Sequence, residues 1–287
     1  MQNKKTYNKR YIVIVAAIAV ALVIGFMMGR AGPALKYKSK NSVPVKKTVT
    51  QVIEAKKSVL PRITKKFANP KIAVVIDDFG YNINNLEKFL DIGESITLSI
   101  LPNKRYSTKV AETAHSRGYE TILHLPLEPK DGSVEEEPGT IKSSMSDSQI
   151  ILRLKEDLDS VPYINGVSNH MGSKSTEESR LMSMVFGELK NRKIFFFDSL
   201  TSANSVCRDV AKSSGIRYAR RDVFLDIPGE PADIERKILE TRRLAFRKGY
   251  AIAVGHDKHN TVIALKKFMP EMASEGVKFV YISDFEK

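Results

Sequence analysis

From Lys71 onward the chain alternates between short apolar runs and longer stretches with an apolar residue every three or four positions. Ile72-Ala73-Val74-Val75-Ile76 contains no polar position, the pattern of a strand buried on both faces. Further strands are predicted at 95–101, 120–125, 163–168, 193–197, 216–220, 250–254 and 277–282. Helices are predicted between them at 84–90, 107–117, 147–160, 177–190, 203–213, 231–248 and 261–274. Gly118, Gly215, Gly249 and Gly276 each stand just before a predicted strand, where the left-handed residue that ends a helix belongs. Regular strand–helix alternation implies parallel strands joined by right-handed crossovers. Seven or eight such units within residues 71–287 predict a compact (β/α) barrel, with an open doubly wound sheet as the alternative of equal periodicity.

The first 70 residues follow a different pattern. Residues 11–29 (YIVIVAAIAVALVIGFMMG) carry no charge, and nineteen residues at ~1.5 Å per residue are about the length that crosses a bilayer core. Lys4, Lys5, Lys9 and Arg10 precede them, a basic tail over 1–10 expected to stay cytoplasmic. The competing reading is a cleaved signal peptide. Its apolar core would be shorter, and the exit Met28-Gly29-Arg30-Ala31-Gly32-Pro33 offers no A-x-A-like cleavage site. The segment therefore reads as an uncleaved, single-pass transmembrane helix contacting the lipid bilayer. Residues 30–70, with Pro33, Pro44, Pro61, Pro70 and scattered lysines, read as a basic tether. The expected arrangement is a protein of the cytoplasmic membrane whose domain, 71–287, is exported to the periplasmic or extracytoplasmic side.

Charge changes the picture only by its location. The net charge is +13, yet residues 1–70 hold 15 Lys/Arg against Glu54 alone. The remaining 31 Lys/Arg and 32 Asp/Glu balance almost to zero. A basic nucleic-acid-binding domain is thereby excluded after residue 70, and no zinc finger or Walker loop is present. The single cysteine, Cys207, rules out a disulfide framework. It falls in a predicted helix with no base nearby, so a nucleophilic role is not expected.

Function in a parallel barrel gathers where strands end. The predicted strand ends hold Asp77-Asp78, then His124 followed by Glu128, Asn169-His170, Asp198-Ser199, and Gly255-His256. Each has a structural explanation, such as a helix cap or turn for an Asp. Jointly, three of the five histidines and two acidic positions converge on one end of one barrel. Imidazoles with carboxylates form a ligand set of zinc type, so a divalent metal, zinc above all, is the expected cofactor. Glu135-Glu136-Glu137 reads as a solvated loop, and Phe195-Phe196-Phe197 as barrel core.

The segments IAVVIDDFG (72–80), HLPLEP (124–129), NHMGS (169–173), FFFDS (195–199), RDVFLD (221–226) and AVGH (253–256) together resemble the divergent polysaccharide deacetylases, a distant branch of the carbohydrate esterase and deacetylase fold. The resemblance spans residues 71–284 and implies a distorted (β/α) barrel, a divalent metal and a polysaccharide or peptidoglycan-type substrate. It implies Asp77 as general base, Asp78 and His124 as metal ligands, and His256 as general acid. The second motif of that superfamily is usually H-x-x-x-H; here Glu128 occupies its second position. Glu128 or His170 is thus the expected third ligand. Asn169-His170-Met171-Gly172-Ser173 replaces the usual arginine-proline motif. Asp198 could orient an imidazole or cap the next helix. The implied reaction is deacetylation of an N-acetylated envelope glycan. A catalytically silent glycan-binding or scaffold protein is one alternative, and a metal-free glycosidase using Asp77 and Glu128 is another.

Overall fold

The computed structural model describes residues 64 and 66–285. The expected anchor at 11–29 and nearly all of the tether lie outside the described residues. Among the described residues no helix is long and apolar enough to cross a membrane. The alternation from Lys71 onward forms nine strands and seven α-helices: β1 (Lys71–Phe79), α1 (Leu86–Leu90), β2 (Thr97–Ile100), α2 (Ser107–Ser116), β3 (Glu120–Leu127), α3 (Asp147–Ser160), β4 (Ile164–Met171), α4 (Ser179–Arg192), β5 (Phe195–Asp198), α5 (Cys207–Ser214), β6 (Tyr218–Arg220), β7 (Val223–Phe224), α6 (Pro231–Lys248), β8 (Tyr250–His256), α7 (His259–Ser274) and β9 (Lys278–Val280). Gly118, Gly215, Gly249 and Gly276 all have positive φ, as expected of residues that end a helix and turn the chain into the next strand.

Every strand pairing is parallel. The order β6-β5-β4-β3-β2-β1-β8-β7 is that of a barrel cut between β6 and β7. It has no mid-sheet reversal, so the doubly wound alternative is excluded. The cut is bridged by the chain itself. Arg221 donates its N–H to the Asp198 carbonyl on one side, and Asp222 donates to the Ile252 carbonyl on the other. One edge of β1 pairs with β8 from Lys71 to Asp77. Its other edge is shared, by β9 at residues 71–73 and by β2 from Val75 to Phe79.

The strand pleat sorts side chains into an interior and a helix-facing set. Ala73, Val75, Ile122, Phe195, Phe197, Ile252 and Val254 form the barrel interior, closed from below by Ile282. Their neighbours point outward, and Phe196 meets Phe186 of α4 with ring centroids 4.9 Å apart. The Phe195 ring fills space left by Gly166 on the paired strand: a Cβ there would lie 2.5 Å from the ring. Two strands run further than expected. β3 continues past His124 to Leu127, and β4 past Asn169-His170 to Met171. Pro126 is accommodated because β2 pairs with β3 only as far as Leu123; beyond it Ile141 takes that edge, donating to the Pro126 carbonyl and accepting from Glu128 N–H, so no ladder donor is needed from Pro126.

Candidate active site

The alternation that builds the apolar interior also places the polar groups above it. Along β1, Ala73 and Val75 point inward, so Asp77 does too; by the same count His124 follows Ile122 and His256 follows Val254. Asp78 should face away, but its φ of 68° and a register shift between Ile76 and Phe79 turn the strand at that point. Asparagine and aspartate tolerate this left-handed conformation better than other residues with a Cβ. Both carboxylates consequently sit at the same end of the barrel.

Three side chains converge there. Asp78 Oδ1 lies 3.3 Å from His124 Nε2 and 3.1 Å from His170 Nδ1, and the three donor atoms fall within 4.8 Å of one another. The two imidazoles meet nearly edge to face at 77°, centroids 4.9 Å apart. His124 is oriented from behind: its Nδ1 lies 2.8 Å from Ser168 Oγ, which is 2.7 Å from Ser99 Oγ. That leaves Nε2 for the shared point. Two imidazole nitrogens and one carboxylate oxygen, one imidazole fixed by a hydrogen bond from its far nitrogen, suit a divalent metal of zinc type. Burial works to raise the Asp78 pKa, but its hydrogen bonds to the two imidazoles outweigh burial and hold the carboxyl far below the usual range.

Asp77 sits beneath this group, almost completely buried, with Oδ1 3.6 Å from His124 Nδ1 and without a hydrogen-bond partner. Burial pushes its carboxyl up, against the opposing pull of His124 and His256. His256 pairs in register with Asp77 across the β1–β8 ladder. Its Nδ1 lies 2.6 Å from Asp226 Oδ1, and Asp226 Oδ2 accepts from the His256 backbone N–H at 2.8 Å and from Thr261 Oγ1 at 2.6 Å. Burial works to lower the His256 pKa, but the hydrogen bond and charge of Asp226 reverse that and raise it. The Phe224 ring stacks on His256 at 6.1 Å, and the Arg221 guanidinium lies over Phe224 at 3.6 Å.

The other candidates go elsewhere. Glu128 is not brought to the group: its carboxylate accepts from Ser143 N–H and Oγ at 2.8 and 2.6 Å and pairs with Lys174 at 2.9 Å. Asp198 orients no imidazole; it accepts from Leu200 N–H, Ser205 Oγ and Tyr218 OH, tying down the loop after β5. Cys207 is buried, and burial drives its thiol well above the usual range, as expected for a structural residue. Glu137 corrects the reading of 135–137 as a solvated loop. It bonds to Lys104 and Tyr81 and lies 4.0 Å from His170 Nε2, a buried nitrogen with no hydrogen-bond partner. The loop before α3 folds back over the mouth, which no local pattern in the sequence signals. Asp226 and Ser168 were also missed as partners of His256 and His124. The signal available for Asp226 was its place two residues after Phe224, which packs against the barrel interior.

Comparison with known proteins agrees with this architecture. Residues 74–285 match the family described as divergent polysaccharide deacetylase, and the chain belongs to that family. It is 34% identical over 199 residues to the uncharacterized protein YibQ of Escherichia coli (strain K12), covering 69% of this chain and 62% of that one. It is 34% identical over 200 residues to an uncharacterized protein of Haemophilus influenzae Rd, covering 70% and 71%. The match thus spans less than two thirds of the length of the first relative. The crystal structure of an uncharacterized protein from Agrobacterium tumefaciens C58 shares the fold, with a TM-score of 0.72 at 24% identity over 79% of this chain and 93% of that one.

Proposed function

We propose that this chain is a metal-dependent hydrolase that removes acetyl groups from an N-acetylated envelope polysaccharide or peptidoglycan-type glycan. The observation that carries the proposal is the convergence of Asp78 Oδ1, His124 Nε2 and His170 Nδ1 at the mouth of a polysaccharide deacetylase barrel. These three residues would hold the metal, and Glu128 stays in its structural ion pair. A divalent metal bound there supplies Lewis-acid polarisation and lowers the pKa of water. Asp77 takes the proton of the attacking water, since its free Oδ1 is buried beside the ligands. His256 donates a proton to the leaving amine, and Asp226 keeps that imidazole oriented and protonated. Residues 11–29 anchor the protein in the cytoplasmic membrane, and the barrel acts outside it.

Asp77→Asn in the full-length protein tests the catalytic assignment. It should keep stoichiometric metal yet lose 10²–10⁴-fold in acetate release, the range of a lost general base. Unchanged turnover would remove Asp77 from the mechanism. Cell fractionation of the same protein should place it in membranes with the barrel accessible to protease in spheroplasts; a soluble product beginning near residue 32 would replace the anchor by a cleaved signal.

A further inference from the structure

His170 has two ring nitrogens, and the converging group accounts for only one of them. Nδ1 lies 3.1 Å from Asp78 Oδ1, whereas Nε2 is buried and has no hydrogen-bond partner. A neutral imidazole whose Nδ1 lone pair serves a metal carries its proton on Nε2. A buried N–H of that kind is costly when it is left without an acceptor. His124 meets the same requirement through Ser168, whose Oγ lies 2.8 Å from its far nitrogen. For His170 the group facing the far nitrogen is Glu137, with Oε1 at 4.0 Å.

The fold builds Glu137 into that position. Glu135 is exposed and Glu136 pairs with Lys142 at 2.5 Å, but Glu137 turns inward and its side chain is only 12% exposed. Its backbone carbonyl accepts from Thr140 N–H and Oγ1 at 3.1 and 2.8 Å. The next two carbonyls, those of Pro138 and Gly139, accept from the Arg153 guanidinium on α3. The Glu137 carboxylate accepts from Tyr81, in the loop after β1, and from Lys104, in the loop after β2. Tyr81 bonds to Oε1 and Lys104 to Oε2, so Oε1 keeps a second lone pair. One carboxylate thus joins the loops that follow β1, β2 and β3, and it faces a histidine near the end of β4. When Nδ1–H donates to Asp78, Nε2 and the carboxylate both present lone pairs, which is consistent with the 4.0 Å gap. With the proton on Nε2 the two become donor and acceptor, and an approach of about 1 Å makes an ordinary hydrogen bond.

We propose that Glu137 is a positioning residue for His170: its carboxylate accepts the Nε2–H and so fixes the ring with Nδ1 toward Asp78 and His124. Because Tyr81 and Lys104 hold the same carboxylate, the ring and the three loops around the mouth are set together. The inference rests on the metal-site reading given above.

The test is competition for zinc with a chromophoric chelator, on the full-length protein. Glu137→Ala should weaken zinc binding by about 10–100-fold, the loss typical of an outer-shell partner, and Glu137→Gln, which keeps a neutral acceptor, should fall between it and wild type. Glu136→Ala should bind zinc as wild type does. Nitrogen-15 spectra of the histidine rings supply a readout that a merely structural role would not move, and in wild type they require no variant to fold. In the zinc-loaded protein the His170 proton should reside on Nε2 and exchange slowly with water, and the slow exchange should be lost in Glu137→Ala. Wild type that binds zinc with this proton in fast exchange overturns the inference alone, as does Glu137→Ala with unaltered zinc affinity. Wild type that binds no zinc overturns the metal-site reading and this inference with it.

Discussion

His170 and Glu128 give the sharpest residue-level test, because both were expected as the third ligand and only His170 lies with Asp78 and His124. The sequence spacing favoured neither. What separates them is that β4 runs on to Met171 and delivers His170 to the mouth, whereas Ser143 and Lys174 occupy the Glu128 carboxylate. His170→Ala should weaken zinc binding by more than about a hundredfold, beyond the loss typical of an outer-shell partner. Glu128→Ala should leave zinc affinity within a few-fold and cost about 1 kcal/mol of stability. Titration with a chromophoric chelator measures the first and urea denaturation the second. Asp226 supplies a second test. Because it raises the pKa of His256, and the proposed role of His256 uses its protonated form, Asp226→Asn should move the alkaline limb of kcat/KM to lower pH and reduce turnover on the order of a hundredfold. An unmoved limb would mean that His256 is not the acid.

At the scale of elements, periodicity placed every helix and eight of the nine strands close to their observed positions. The exception, β7, is only Val223–Phe224, too short for any alternation to register, although it lies within the RDVFLD segment. The extensions of β3 and β4 were hidden because their ends were expected near His124 and Asn169-His170, and continuation past those residues depends on pairing with neighbouring strands. Helix α3 holds another feature that pattern reading passes over: Asp157 is fully buried, bonded by Asn103 at 2.9 Å, with Oδ2 unpartnered. Burial pushes its carboxyl up to about 7 from an unfolded value of 3.8. Between those pH values the unfolded chain releases this proton and the folded one keeps it, so stability falls as pH rises from about 4 to 7. Asp157→Asn should flatten that portion of the stability profile and raise stability by about 2 kcal/mol at pH 8, read by urea denaturation at a series of pH values. A variant that is less stable than wild type at pH 8 would show instead that the ionised carboxylate is held favourably.

For the whole molecule, the strand direction separates a polar mouth from an apolar interior. The strand C-terminal end gathers Asp77, Asp78, His124, His170 and His256 from four different strands, above an interior that is apolar. Barrel order follows from strand–helix alternation, which is why the architecture was legible from hydrophobic positions alone. Glu137, Asp226 and Ser168 were not, since their roles arise from a loop folding over the mouth and from partners on adjacent strands rather than from spacing. The central claim is that the mouth is a metal-dependent deacetylase site. It is tested most directly by acetate release from N-acetylated glycan oligomers by the full-length protein, before chelation, after chelation and after zinc is restored. The account predicts release that is lost to the chelator and recovered with zinc in wild type, and absent throughout in His170→Ala. A zinc-loaded wild-type protein that binds the glycan without releasing acetate would contradict it and mark the barrel as a silent glycan-binding scaffold.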